Sequence, residues 1–94
     1  MKPILIKANN YRVKCVEYQN LTSKYYKLVE KQPTNTFYKT SYRRYFKLSN
    51  LYFEKYDSLI SAHYTRSQIS NAGAREGKYL TLGFLRKLDK LKGK

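Results

Sequence analysis

The sequence has no tryptophan, one cysteine, one histidine and only six acidic residues among 94. The lone Cys15 excludes an intramolecular disulfide and any cysteine-based metal site. The lone His63 excludes most histidine-based metal sites and triads, so no catalytic residue, metal or cofactor is expected. Glu54 and Asp57 lie one helical turn apart and read as charge balance for nearby lysines rather than as an acid–base pair. Long apolar runs are missing too. "PILI" (Pro3–Ile6) is too short for a signal peptide or a membrane span, which points to an intracellular protein. The basic end "LRKLDKLKGK" has a short apolar face without tryptophan, so it reads as core packing rather than as a membrane-surface helix.

The scarcity of acids leaves 20 lysines and arginines nearly uncompensated, for a net charge of +14. Self-repulsion of that size opposes a compact state unless something negative is nearby. Nucleic acid, an anionic membrane surface and an acidic protein are the partner classes this charge allows. The charges run from Lys2 to Lys94 without one long block, which fits a folded basic face better than a basic tail.

What is abundant is tyrosine. Seven of the eleven tyrosines fall between Tyr25 and Tyr56, interleaved with lysine and arginine. Such a stretch serves either as a base-stacking surface or as a small core of amphipathic rings, since each hydroxyl needs a partner or water. The apolar fraction of 41% is enough for a core, and the length suits one domain spanning residues 1–94.

Local pattern predicts an α+β chain. "ILIKA" and "YRVKCVEY" are rich in strand formers and bracket Asn9-Asn10, a turn signal. Tyr11, Val13 and Cys15 alternate with Arg12, Lys14 and Val16. A β-hairpin or three-stranded meander is therefore expected over about residues 2–31, with residues 24–31 as either a third strand or a short helix. "QPTNT" (Gln32–Thr36) is a break with several capping residues. Beyond it the period changes. Tyr38, Tyr42, Tyr45, Tyr52, Tyr56 and Leu59 step by three, four and seven residues, which predicts helix with Lys39, Arg43, Lys47 and Glu54 on another face. The stripe fits either one helix of about six turns or two helices with a break near Ser49-Asn50, and the helical part extends over about residues 36–92.

Three segments carry candidate contacts. In "YRRYFK" (Tyr42–Lys47), Arg43, Arg44 and Lys47 are placed to hold phosphates while the rings pack or stack. "GAREGK" (Gly73–Lys78) lacks the spacing of a phosphate-binding loop, but Arg75 and Lys78 can touch a nucleic-acid backbone. The third is "TRSQIS" followed by "NAGAREGKYLTLGFLRKLDKL". This stretch resembles the recognition helix and supporting helix of the Cro and lambda-repressor type of helix-turn-helix, over roughly residues 58–91. The resemblance implies that Thr65 caps the recognition helix. It implies further that Arg66, Ser67, Gln68, Ser70 and Asn71 face the groove, that Ile69 packs inward, and that Leu85 and Leu91 sit on the supporting helix. Departures are His63 at the turn and Ser58 where an apolar residue is expected.

Arginine and glutamine are the side chains that bond bidentately to guanine and adenine edges, and serine, threonine and asparagine hold phosphates. The expectation is a small basic non-enzymatic DNA-binding protein, with DNA favoured over RNA. Phage and plasmid regulators are of this kind, acting in the cytoplasm of a bacterial host, and such domains often bind as homodimers. Two alternatives stand beside it. One is a phage-encoded inhibitor, such as an anti-CRISPR, that binds an acidic protein or a ribonucleoprotein. The other is an RNA-binding or ribosomal protein.

Overall fold

The computed structural model describes residues 1–94. It consists of α1 (Pro3–Lys31), α2 (Thr36–His63), α3 (Arg66–Asn71), a 3-10 turn (Ala74–Glu76) and α4 (Leu82–Asp89), with no strand. The β-hairpin or meander expected over residues 2–31 is thus replaced by one 29-residue helix, and the α+β assignment is corrected to all-α. The reason is a longer-range pattern than the local alternation. Ile4, Ala8, Tyr11, Cys15, Tyr18, Thr22, Tyr25 and Val29 step by four and three in turn, a heptad repeat. α2 answers with Tyr38, Tyr42, Tyr45, Ser49, Tyr52, Tyr56 and Leu59 at the same steps. Packing of these two seams decides the conformation over the strand preference of single residues. Tyr11 and Cys15 turn towards α2, while Val13, which alternation puts on their face, is 47% exposed. Pro3 sits in the first turn, where its missing N–H removes no helical bond. Asn9, instead of making a turn, accepts a bond from Arg12 Nε at 2.9 Å.

The two long helices form an antiparallel hairpin. The segment between them is short, and Asn35 caps α2 by accepting from Tyr38 N at 3.1 Å. α2 runs 28 residues as one continuous helix, the first of the two readings of its stripe, and Ser49 Oγ donates to Phe46 O at 2.8 Å within it. Small buried residues, Cys15 and Ser49, meet midway along the seam, with Cys15 Sγ 3.5 Å from Ser49 O. Their size lets the backbones approach there while tyrosines fill the layers on either side.

The core sits at one end. α3 and α4 fold back over the start of α1 and the end of α2. Leu5, Ala8, Tyr56, Ile60 and Tyr64 are buried there against Ala72, Phe84, Leu85 and Leu88. Tyr56 donates to Tyr79 O and Tyr79 to Asp57 Oδ1, both at 2.6 Å, so both phenols of this layer are satisfied. Arg12 Nη1 reaches Leu80 O at 3.5 Å at the inner edge of the layer. The chain end returns to α2: Lys94 N donates to His63 O at 2.9 Å and Lys94 Nζ to Ser61 O at 2.8 Å. Gly93 makes that return possible. Its φ is +76°, and a Cβ there would lie 2.5 Å from His63 O. The outcome is a rod of 51 × 23 × 18 Å, with a three-layer head and a two-helix arm.

Candidate nucleic-acid interface

Six tyrosines form a continuous row along one side of the hairpin seam. From head to tip the rings alternate between helices: Tyr11, Tyr52, Tyr18, Tyr45, Tyr25 and Tyr38. Successive centroids lie 6.2, 5.7, 5.9, 5.5 and 6.2 Å apart, and the three middle pairs are stacked. All six rings are half-buried. The rings therefore act as packing surface between the helices, with their outer edges accessible. Lysines decorate this row: Lys55 Nζ lies 5.7 Å from the Tyr11 ring and 5.5 Å from Tyr52, and Lys24 Nζ lies 5.8 Å from Tyr25.

Arg43, Arg44 and Lys47 come together on the outside of α2. With Thr40, which sequence reading did not single out, they line a shallow depression of about 350 Å³ that has no hydrophobic wall. Its signal was available: residues 40, 43, 44 and 47 are spaced by three and four along one helix. All of the three cations are exposed, and none has a carboxylate partner.

The second group lies on the head. Thr65 Oγ1 caps α3 by accepting from Gln68 N at 3.1 Å, and Gln68 Oε1 accepts from Thr65 N at 3.0 Å. This capping box fixes the start of α3 and occupies the Gln68 carbonyl that an adenine contact would need. Arg66, Ser70 and Arg75 line a groove of about 560 Å³ with Asp57, Ser61, Ile69, Ala74 and Tyr79. Arg66, Ser67 and Asn71 are exposed, but Asn71 Oδ1 accepts from Arg75 Nη2 at 3.2 Å. Lys78 pairs with Glu76 at 3.1 Å, and this exposed pair pulls the Glu76 carboxyl below its ordinary pKa. Ile69 and Leu91 pack against the core, and Leu85 is fully buried in it. α3 is six residues long, less than two turns.

The two groups are apart but aligned. Arg43, Lys47, Asn50, Glu54, Asp57 and Ser61 step by three and four residues, so they trace one stripe of α2. That stripe leads from the arginine depression to the groove beside α3. From Arg43 and Lys47 to His63 the helix rises about 30 and about 24 Å, the length of roughly seven to nine base pairs of duplex DNA.

Cation pairing is sparse. Of the 20 lysines and arginines only Lys78 has a carboxylate partner, which leaves nineteen without one. The second ion pair is between the Met1 amino group and Asp89 at 3.9 Å. No family model, curated protein or solved structure matches the chain. No helix is long and apolar enough to cross a membrane.

Proposed function

We propose that the chain is a non-enzymatic DNA-binding protein that grips the phosphate backbone along α2 and the head. The observation that carries this reading is the nineteen unpaired cations on a rod only 51 Å long. Each phosphate neutralised releases condensed counterions, so such a surface gains affinity from any duplex. The Arg43, Arg44 and Lys47 depression and the Arg66 and Arg75 groove are the two cationic groups that would hold backbone, with Glu54 and Asp57 between them. Cys15, the one thiol, is fully buried, while His63 is exposed with its Nδ1 3.0 Å from Leu59 O. Within this reading Arg66 is the residue that reaches base edges, in the manner the helix-turn-helix resemblance implies, while Gln68 holds the helix start.

The test is anisotropy titration of labelled duplexes across a salt series. Arg43→Ala with Arg44→Ala should weaken binding to all sequences alike and flatten the slope of log affinity against log salt by about 2. Arg66→Ala should instead cost roughly 1–3 kcal/mol on preferred sequences and little on others. Salt-insensitive or undetectable binding to duplex DNA would refute the proposal, and a preference for structured RNA at matched salt would replace DNA by RNA.

A further inference from the structure

The side of the seam opposite the tyrosine row is covered along only half its length. Near the head, Leu5 and Ala8 of α1 and Tyr56 and Ile60 of α2 are sealed by Phe84, Leu85 and Leu88. The cover ends where Phe53 meets Tyr79, at 6.1 Å between centroids. The heptad pattern continues beyond that edge, but nothing lies on it. Tyr26 stands 5.7 Å from Tyr42, and Tyr42 stacks on Phe46 at 6.1 Å. These three rings, with Thr22, Ser23 and Lys27, line a groove of about 290 Å³. Tyr26 is 50% exposed and Phe46 48%, against 0% for Tyr56 on the same seam. Other large apolar side chains, such as Phe37 and Ile6, are exposed too, but here the exposed rings cluster in a groove continuous with the core seam.

We infer that this distal groove docks an acidic amphipathic helix from a partner protein, laid in line with α4. Two observations name that occupant. First, α4 shows what the seam accepts: a short amphipathic helix with apolar residues at spacings of one, three and four facing the hairpin. Second, the charges beside the groove are complementary to an acid. Lys27 lines it, Lys39 lies one heptad before Phe46, and Arg43 and Lys47 flank Phe46, all without ion-pair partners. Glu30, close to Tyr26, is the one acid there. A second copy of the chain fits poorly, because it would bring another +14 to the same surface. The rings supply buried apolar area and the lysines and arginines supply orientation and on-rate.

The experiment uses the full chain and two synthetic peptides of identical composition. One has glutamates and leucines arranged as an amphipathic helix, and the other is scrambled. Calorimetry should show saturable 1:1 binding of the amphipathic peptide, at least tenfold tighter than the scrambled one. Phe46→Ala should weaken it tenfold or more while circular dichroism stays unchanged, and Lys27→Ala should weaken it less and remove part of its salt dependence. Because Phe46 has no part in the backbone contacts of Arg43 and Arg44, duplex affinity should be unchanged in Phe46→Ala. Equal binding of both peptides, affinity weaker than about 1 mM, or indifference to Phe46→Ala would overturn the inference. So would concentration-dependent dimerisation lost in Phe46→Ala, which assigns the groove to a second copy. Single-stranded DNA binding that is lost in the same variant would overturn it too, assigning the rings to base stacking.

Discussion

Burial pushes the phenols of Tyr56 and Tyr79 above the ordinary tyrosine pKa, and at Tyr79 the hydrogen bond to Asp57 adds to the effect. The unfolded chain has no such restraint and ionises near the ordinary value of about 10. The stability tied to these two protons is therefore complete below about pH 10 and is lost above it, at about 1.4 kcal/mol per pH unit for each ring. In an absorbance titration two of the eleven tyrosines should ionise only as helical dichroism collapses. In Tyr79→Phe the fall of stability with pH should be about half as steep, because one of the two retained protons is gone. Ionisation of all the tyrosines with the helices intact would contradict this account. Cys15 shows the same physics in milder form, since burial raises its thiol and keeps it from reacting as a thiolate.

Helix ends were easier to read from the sequence than helix interiors. Asn35 in the "QPTNT" break and Thr65 before "RSQIS" are caps in the structure as their chemistry suggests, and Thr81 likewise caps α4. The tyrosine spacing of α2 was legible because five large rings, Tyr38, Tyr42, Tyr45, Tyr52 and Tyr56, mark the stripe. α1 was not, for a physical reason: three of the eight residues on its seam are Ala8, Cys15 and Thr22, small side chains that leave only a faint apolar stripe. Against that faint stripe, the alternation of Tyr11, Val13 and Cys15 reads as strand, and only the partner helix resolves it. The candidate site was legible where it depended on local spacing, as for Arg43, Arg44 and Lys47. It was not where side chains found unforeseen partners: Gln68 in the cap, Asn71 with Arg75, and Lys78 with Glu76. The caps also divide the rod. Asn35→Ala should cost about 1 kcal/mol in urea unfolding. Hydrogen exchange should accelerate at amides near residues 25–45 and stay unchanged under α4, since the arm has no third layer to hold it. Uniform acceleration along the whole rod would show instead that arm and head open together.

At the scale of the molecule, a radius of gyration of 15.8 Å exceeds the roughly 12 Å expected of a globular chain this long. The elongation spreads +14 over more surface and lowers self-repulsion without removing it. Thermal stability should therefore rise steadily as salt increases from about 0.01 M to about 1 M, while the screening length shortens from about 30 Å to about 3 Å. A flat or falling melting temperature over that range would mean that the charges are already compensated in the fold. The tyrosine row has an optical consequence as well. With no tryptophan to trap excitation, light absorbed by one ring passes to the next along the stacked series from Tyr11 to Tyr38. Emission from the arm is depolarised by that migration, and anything that quenches a single phenol dims its neighbours. The protein thus carries its own antenna, tuned to report whatever lies down along the hairpin.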